Sequence, residues 1–108
     1  MIQVTALYNH PQDPTAFDEH YQTVHIPLVK KLLGIKGFTT AKPTSLNPKE
    51  SSPYYLIANL YFEDMGTLQT ALQSPEGQAV VSDIPNFATG GVSLLGGEVQ
   101  VYDPVLIG

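Results

Sequence analysis

The sequence predicts an α+β fold with the element order β-α-β-β-α-β, in which helices cover one face of a four-stranded antiparallel sheet. Three observations lead to this prediction. Apolar residues alternate with period two in the strand segments, they recur with helical period after Asp13 and Asp64, and Pro, Gly and Asn separate the segments. The 108 residues are the length of one domain, so we expect residues 1–108 to form a single domain.

Each element follows from a residue pattern and from the turn signals around it. In order, we predict strands over Ile2–Asn9, Ile35–Pro43, Pro53–Glu63 and Gly91–Tyr102, and helical segments over Pro14–Leu33, Asp64–Gln73 and Ser74–Ile84. Asp13 followed by Pro14 starts the first helix, because the carboxylate accepts from free backbone amides and proline at the first position loses no hydrogen bond. Pro27 removes a hydrogen bond in mid-helix, so we expect a bend near His25. Glycines in the last strand predict a bulge or a sharp twist.

The third strand predicts a partner for the sheet. It carries bulky side chains on both faces, with Leu56 on one and Ile57 and Tyr61 on the other. Helices cover one face only, so an apolar second face needs another cover. The simplest cover is the sheet of an identical subunit. This predicts a homodimer in which two ferredoxin-like sheets face each other as a dimeric α/β barrel, and the apolar tail from Val105 to Ile107 favours the same assembly.

Composition narrows the partners and the location. The net charge is −5, from ten acidic residues and five lysines. Proteins that bind phosphates use a basic face and usually arginine, which this chain lacks, so we expect no nucleic-acid partner. The absence of cysteine excludes disulfides and thiolate chemistry and suits a cytoplasmic location. We also expect neither a signal peptide nor a membrane span, since no basic leader precedes the first strand and no apolar run approaches ~20 residues.

The first helix carries the candidate chemistry. At about 100° per residue, one apolar stripe contains Phe17, Tyr21, Val24, Leu28 and Leu32. His25 borders this stripe on one side. His20 borders it on the other, about 140° away, where we expect a solvated rim residue. Two histidines so far apart do not bind one metal ion from one face, so we expect no metal site, and we expect no cofactor.

Two interpretations of His25 stay open. In one it is a histidine at the edge of the core, hydrogen-bonded to a backbone carbonyl or to a tyrosine. In the other it is a neutral imidazole that faces a cavity below the helix and moves protons near neutral pH. The second interpretation makes His25 the acid–base group. It places Tyr8, Phe17 and Leu28 in the wall of the pocket.

Three segments of the chain carry a family resemblance. They are the run Tyr8-x5-Pro14-x2-Phe17-x2-His20-Tyr21-x3-His25-x-Pro27-Leu28, the strand from Tyr55 to Phe62, and the start Ser74-Pro75-Glu76-Gly77 of the second helical region. In these segments the chain resembles the EthD family, named for a gene cluster that degrades ethyl tert-butyl ether and placed in the dimeric α/β-barrel superfamily. The resemblance implies that the kink at Pro27 is a family feature. It implies His25 and Tyr21 as site residues and no particular reaction.

The resemblance implies two classes of function. Relatives in the wider superfamily include cofactor-free monooxygenases acting on aromatic polyketides, muconolactone-type isomerases, polyketide cyclases and haem-binding enzymes. One class is therefore a cofactor-free oxidoreductase of the monooxygenase type, or an isomerase or cyclase, in which His25 acts on a small apolar or aromatic molecule of catabolic or secondary metabolism. The alternative is a non-catalytic metabolite-binding or accessory protein of a degradation pathway. A haem-binding variant, with one histidine on the iron, is a third.

Overall fold

The computed structural model describes residues 1–104 and confirms the α+β, ferredoxin-like fold. Its strands are β1 (Ile2–Asn9), β2 (Ile35–Ala41), β3 (Tyr54–Phe62) and β4 (Val92–Glu98). Its helices are α1 (Pro14–His20), a π-helical turn (Tyr21–His25), α2 (Ile26–Lys30), α3 (Met65–Gln73), α4 (Pro75–Asp83) and a 3-10 turn (Ile84–Asn86). The four strands form one antiparallel sheet in the order β2-β3-β1-β4.

The first helix consists of α1, the π turn and α2, and it begins where the sequence predicts. Asp13 is its N-cap: the Oδ1 atom accepts a hydrogen bond from the backbone amide of Ala16 at 3.1 Å. Regular helix ends at Lys30 rather than at the predicted Leu33. Gly34 then turns the chain towards β2 with a φ of +81°, a conformation that glycine adopts at little cost.

A π turn lies where the sequence predicts a bend, at Tyr21–His25. The backbone amide of Ile26 bonds to the carbonyl of Tyr21, five residues back instead of four. Pro27 follows directly and has no amide hydrogen with which to continue the ladder. The extra residue in this turn changes which side chains share a face. His25 lies on the same side as His20, whereas a regular α-helix would separate them by about 140°.

The sheet register has one consequence for the helix side. At the end of the β1–β3 pairing the register shifts, so that Asn9 lies opposite Tyr54 and skips Tyr55. Tyr55 is therefore the extra residue of a bulge. Its ring packs on the helix side, with its centroid 5.1 Å from that of Phe17. Strict alternation, which assigns Tyr55 to the outer face, is wrong at this position.

The last strand is shorter than predicted. It begins at Val92 and ends at Glu98, so the predicted extension to Tyr102 is wrong. β4 pairs with β1 without a register shift, so its glycines form no bulge there; the alternative, a sharp twist, stays a prediction. The predicted apolar tail from Val105 to Ile107 lies outside the described residues.

The core lies between the sheet and the helices. One cluster contains Ile2, Val29, Leu32, Phe62, Leu68, Ala71 and Val80, and an adjoining aromatic cluster contains Ala6, Tyr8, Phe17, Tyr21, Leu56, Ala58 and Phe87. α4 approaches α3 closely because Gly77 has no side chain; a Cβ atom there would collide with the carbonyl oxygen of Ala71. The close approach directs the buried side of α4, which includes Val80 and Asp83, into the core.

The outer face of the sheet is mixed rather than apolar. At its centre, the Gln3 side-chain amide donates to the Thr5 hydroxyl at 3.0 Å, and that hydroxyl donates to Asn59 Oδ1 at 2.7 Å. The strand register places Leu7, Ile57, Tyr61 and Leu95 around this polar group on the same face. The expectation of apolar bulk therefore holds for the periphery and is wrong for the centre. No helix within residues 1–104 is long and apolar enough to cross a bilayer.

Candidate functional site

A cavity of about 80 Å³ lies beneath the first helix. Its floor is low because Ala6 of β1 and Ala58 of β3 are directly opposite each other and both are small. Its border includes Leu72 of α3, Val81 of α4 and Leu94 of β4, which are 44%, 49% and 53% exposed. Exposed side chains on the border mean that the cavity opens to the surface between α3, α4 and β4.

Three side chains with polar atoms line this cavity. They are His25, Tyr21 and Tyr8, and the other lining side chains are apolar. His25 is 3% exposed and reaches the cavity from the end of the π turn, and Tyr21 reaches it from the start of the same turn. Tyr8 is the penultimate residue of β1. The structure therefore brings together the two predicted catalytic residues, His25 and Tyr21, and one of the three predicted pocket residues, Tyr8.

Asp83 holds the ring of His25. Its Oδ2 atom lies 2.9 Å from Nδ1 of the imidazole. A carboxylate only accepts hydrogen bonds, so Nδ1 carries the proton of the neutral ring and Nε2 carries the lone pair. Nε2 forms no hydrogen bond within residues 1–104. Every fully buried side-chain nitrogen or oxygen in that range is hydrogen-bonded, so Nε2 is not fully buried. Nε2 is therefore open to a molecule in the cavity.

The Asp83 carboxylate is ionised, and both of its oxygen atoms accept hydrogen bonds. Its Oδ1 atom accepts from Nε2 of His20 at 2.8 Å and from the side-chain amide of Asn86 at 3.0 Å. Burial raises the pKa of Asp83, but the hydrogen bonds from Asn86, His20 and His25 outweigh it and leave the pKa below its ordinary value. An ionised carboxylate in this position fixes the tautomer of His25 and stabilises its protonated form.

The expected rim position of His20 agrees with its partial exposure, but its contacts with the buried residues were not predicted. Its side chain is 28% exposed, it donates to Asp83, and its ring stacks on Phe87 with centroids 5.5 Å apart. The physical reason is the π turn, which brings His20 and His25 to one side of the helix. Within the described residues, no group of three or more His, Asp or Glu side chains has an arrangement that could hold a metal ion.

Burial sets the protonation states around the cavity. Apolar surroundings lower the pKa of His25, although the hydrogen bond to Asp83 opposes this, so the ring is neutral at neutral pH. Burial also raises the pKa of Tyr8, with a contribution from the Asp83 charge, and raises the pKa of Tyr21. Both phenols therefore keep their protons. Neither hydroxyl has a partner within residues 1–104, so both can donate to a bound molecule.

The other two predicted pocket residues lie elsewhere. Phe17 is buried and lines a second cavity, of about 220 Å³, together with Tyr21, Asp18 and Lys42. Leu28 is half-buried and packs against the core without bordering the first cavity. Tyr21 borders both cavities and separates them.

Asp83 was not among the predicted site residues, although the sequence contains a signal for it. Asp83 follows Val80 by three positions and precedes Phe87 by four, so it falls on a helical stripe whose other members are apolar. A charged residue on such a stripe is buried only when it is paired, which directs attention to the histidines of the first helix.

Comparison with known proteins finds close relatives. The family model described as the EthD domain matches residues 9–91. An uncharacterised 11.0 kDa protein from Rhodococcus erythropolis, encoded in the thcB–thcC intergenic region, is 48% identical over 95 residues, which cover 88% of this chain and 91% of that protein. A crystal structure of an EthD family protein from Bacillus halodurans superposes with a TM-score of 0.86 at 35% identity, covering 93% of this chain and 99% of that one.

A more distant structure shares the fold. It is a dimeric ferredoxin-like protein from Thermobifida fusca, which superposes with a TM-score of 0.68 at 12% identity, covering 91% of this chain and 90% of that one. At this identity the likeness concerns the arrangement of the strands and helices alone.

Proposed function

The chain belongs to the EthD family, and we propose that it is a cofactor-independent acid–base enzyme acting on a small, largely apolar molecule with a carbonyl or phenol group. One observation carries the proposal. Nε2 of His25 is unpaired at the wall of an apolar cavity, while Nδ1 of the same ring is bonded to the ionised Asp83. A base oriented by a carboxylate in water-poor surroundings is suited to proton abstraction.

The proposed reaction starts with removal of a proton next to a carbonyl group. The C–H proton passes to Nε2 of His25, the C–H electron pair forms the enolate, and Asp83 stabilises the imidazolium through Nδ1–H. A hydroxyl of Tyr8 or Tyr21 donates to the enolate oxygen. Return of the proton to a different carbon completes an isomerisation. In the oxidative version, of the monooxygenase type, dioxygen converts the CH₂ group to C=O, with one oxygen atom going to the product and one to water.

The size of the cavity indicates how the substrate binds. About 80 Å³ is smaller than the roughly 150 Å³ of an engineered cavity that holds benzene. Only the reacting end of an aromatic molecule therefore fits beneath the helix. The remainder of the molecule would lie at the opening, where Leu72, Val81 and Leu94 present exposed apolar surface. This favours substrates whose polar group is at one end of an apolar body.

Deuterium exchange tests the base function without knowledge of the natural substrate. The probe is 2-tetralone, an apolar aromatic ketone with exchangeable protons next to the carbonyl, incubated in D₂O and followed by proton NMR. We expect the wild type to accelerate exchange and His25→Gln to lose about 10²–10⁴-fold of that acceleration. Asp83→Asn should also lower the rate, because the amide no longer fixes the tautomer.

The matched control is His10→Gln. His10 is exposed, its Nε2 lies 2.8 Å from the carbonyl oxygen of Ser52, and it does not border the cavity. This variant should exchange 2-tetralone at the wild-type rate. An unchanged rate in folded His25→Gln would remove His25 from the mechanism.

A binding function is the second candidate, since the cavity wall apart from three side chains is apolar and suits a hydrophobic ligand without turnover. In that case 2-tetralone should bind to the wild type and to His25→Gln with similar affinity, measured by ligand-detected NMR. No exchange above the buffer rate should then be seen with either protein.

We also propose that the protein is a homodimer formed through the outer sheet face. The supporting observations are the apolar residues Leu7, Ile57 and Leu95 on that face and the fold shared with a dimeric protein. Leu95 is 58% exposed in the single chain, so it presents apolar surface that a second subunit could cover. Native mass spectrometry should show a dimer for the wild type and mainly monomer for Leu95→Glu. Leu33→Glu, at a 67% exposed residue beyond the end of α2, is the control and should remain dimeric.

A further inference from the structure

We propose that His20 sets the basicity of His25 through the carboxylate that the two histidines share. The effect of this coupling on catalysis rests on the proposed function, whereas the coupling itself is a property of the protein without substrate. His20 is therefore a positioning residue. The position of His20 at the edge of the site thus affects the pH range over which His25 remains a base.

The geometry places one negative charge between two imidazoles. Oδ1 of Asp83 accepts from His20 at 2.8 Å and Oδ2 accepts from His25 at 2.9 Å. When either ring is protonated, it forms an ion pair with Asp83 and reduces the attraction left for a proton on the other ring. Two groups that share one counter-charge in this way are electrostatically coupled.

The two rings differ in their access to water. The side chain of His20 is 28% exposed, whereas that of His25 is 3% exposed among aromatic and aliphatic neighbours. Hydration of a charged imidazolium is therefore available to His20 and largely denied to His25. A positive charge on His20 would pair with Asp83 and lower the pKa of His25, which favours the neutral form of the buried ring. His25 thus remains able to accept a proton down to a lower pH than it would if Asp83 were bonded to His25 and not to His20.

Among residues 1–104, the other titratable groups that face His25 are the phenols of Tyr8 on β1 and Tyr21 on the π turn. Burial raises the pKa of both phenols, so both are uncharged wherever histidine titrates. Asn86, the third donor to Asp83, is uncharged as well.

Two substitutions separate electrostatic coupling from simple hydrogen bonding. His20→Gln keeps a side-chain N–H donor that can reach Asp83 but cannot be protonated. His20→Phe keeps a ring to stack on Phe87 but removes the donor. Coupling predicts that both variants raise the pKa of His25 by at least about half a pH unit. A purely structural role of the hydrogen bond predicts a change in the Phe variant and none in the Gln variant.

The measurement is a ¹⁵N NMR titration of the His25 ring from pH 8 to pH 5, without any ligand. We expect the Nε2 resonance to begin its protonation shift at higher pH in His20→Gln than in the wild type, and His10→Gln to match the wild type. Identical Nε2 resonances in wild type and His20→Gln at every pH overturn the inference. If His20→Phe does not fold, the comparison with His20→Gln still decides.

The result is independent of catalysis. Coupling without deuterium exchange of 2-tetralone would leave the inference standing and remove the proposed function. Exchange by His25 without coupling would do the reverse. If both hold, the acidic limb of the exchange rate should move to higher pH in His20→Gln by the same amount as the pKa of His25.

Discussion

Two carboxylates of this protein have nearly the same hydrogen bonds in different surroundings. Asp83 accepts from His20 and His25 at 2.8 and 2.9 Å, and Asp18 accepts from Tyr55 and Lys42 at 2.8 and 2.9 Å. The side chain of Asp83 is 7% exposed and that of Asp18 is 43% exposed. Water competes for the bonds of Asp18 and not for those of Asp83. Burial, rather than hydrogen-bond length, therefore decides which of the two carboxylates with its partners contributes more to the stability of the fold.

The largest effect should come from Asp83→Ala. This substitution leaves the buried Nδ1–H of His25 without an acceptor, so we expect the free energy of unfolding to fall by about 2–4 kcal/mol. The matched variant Asp18→Ala should cost less than about 1 kcal/mol, because its partners are solvated. Urea denaturation of both variants makes the comparison. Equal losses would mean that burial is not what distinguishes the two clusters.

Acid should destabilise the protein through the buried cluster. Burial holds the pKa of His25 in the folded state below 6.5, so the unfolded state binds more protons once the pH falls through that value, and stability decreases. The pKa of Asp83 is also lowered from 3.8, which adds a second loss near and below that pH. For one proton the slope is at most about 1.4 kcal/mol per pH unit.

Urea denaturation at pH 8.0 and pH 5.5 checks this sign. His25→Gln should show a smaller decrease between the two pH values than the wild type does. A wild type that is equally stable at both, or more stable at pH 5.5, would contradict the assignment of a neutral buried His25.

The smallest effect should come from Lys42→Met. Lys42 is 58% exposed, donates to Asp18 and Tyr55, and lies 4.7 Å from the centroid of the Tyr55 ring. The methionine keeps most of the apolar contact and removes the charge, so we expect a loss below about 1 kcal/mol that disappears in 1 M NaCl. A loss that persists in high salt would show that the exposed cluster is more than a screened ion pair.

Part of the fold and of the candidate site could be predicted from the sequence. Period-two and helical patterns predicted the fold, because burial follows from those periods. The prediction that His25 and Tyr21 belong to one site came with the family resemblance, and of the predicted pocket residues only Tyr8 lines the same cavity. The relation of His20 to His25 was not predictable in this way. It depends on the π turn, and a projection at about 100° per residue assumes that no such turn exists.

Asp83 and Tyr55 show a second limit of sequence patterns. Asp83 meets the histidines only because α4 packs beside the first helix, a contact between segments about 60 residues apart. The position of Tyr55 depends on a register shift, and alternation assigns it to the wrong face. In both cases the position of the side chain depends on contacts between distant segments, which a local sequence pattern does not contain.

The most direct test of the account is the tautomer of His25 in the free wild-type protein at pH 7.5. Long-range ¹H–¹⁵N correlation spectra distinguish a protonated ring nitrogen from one with a lone pair. We expect a neutral ring with the proton on Nδ1 and the lone pair on Nε2, as the bond to Asp83 requires. A proton on Nε2, or a doubly protonated ring, would contradict a base poised at the cavity.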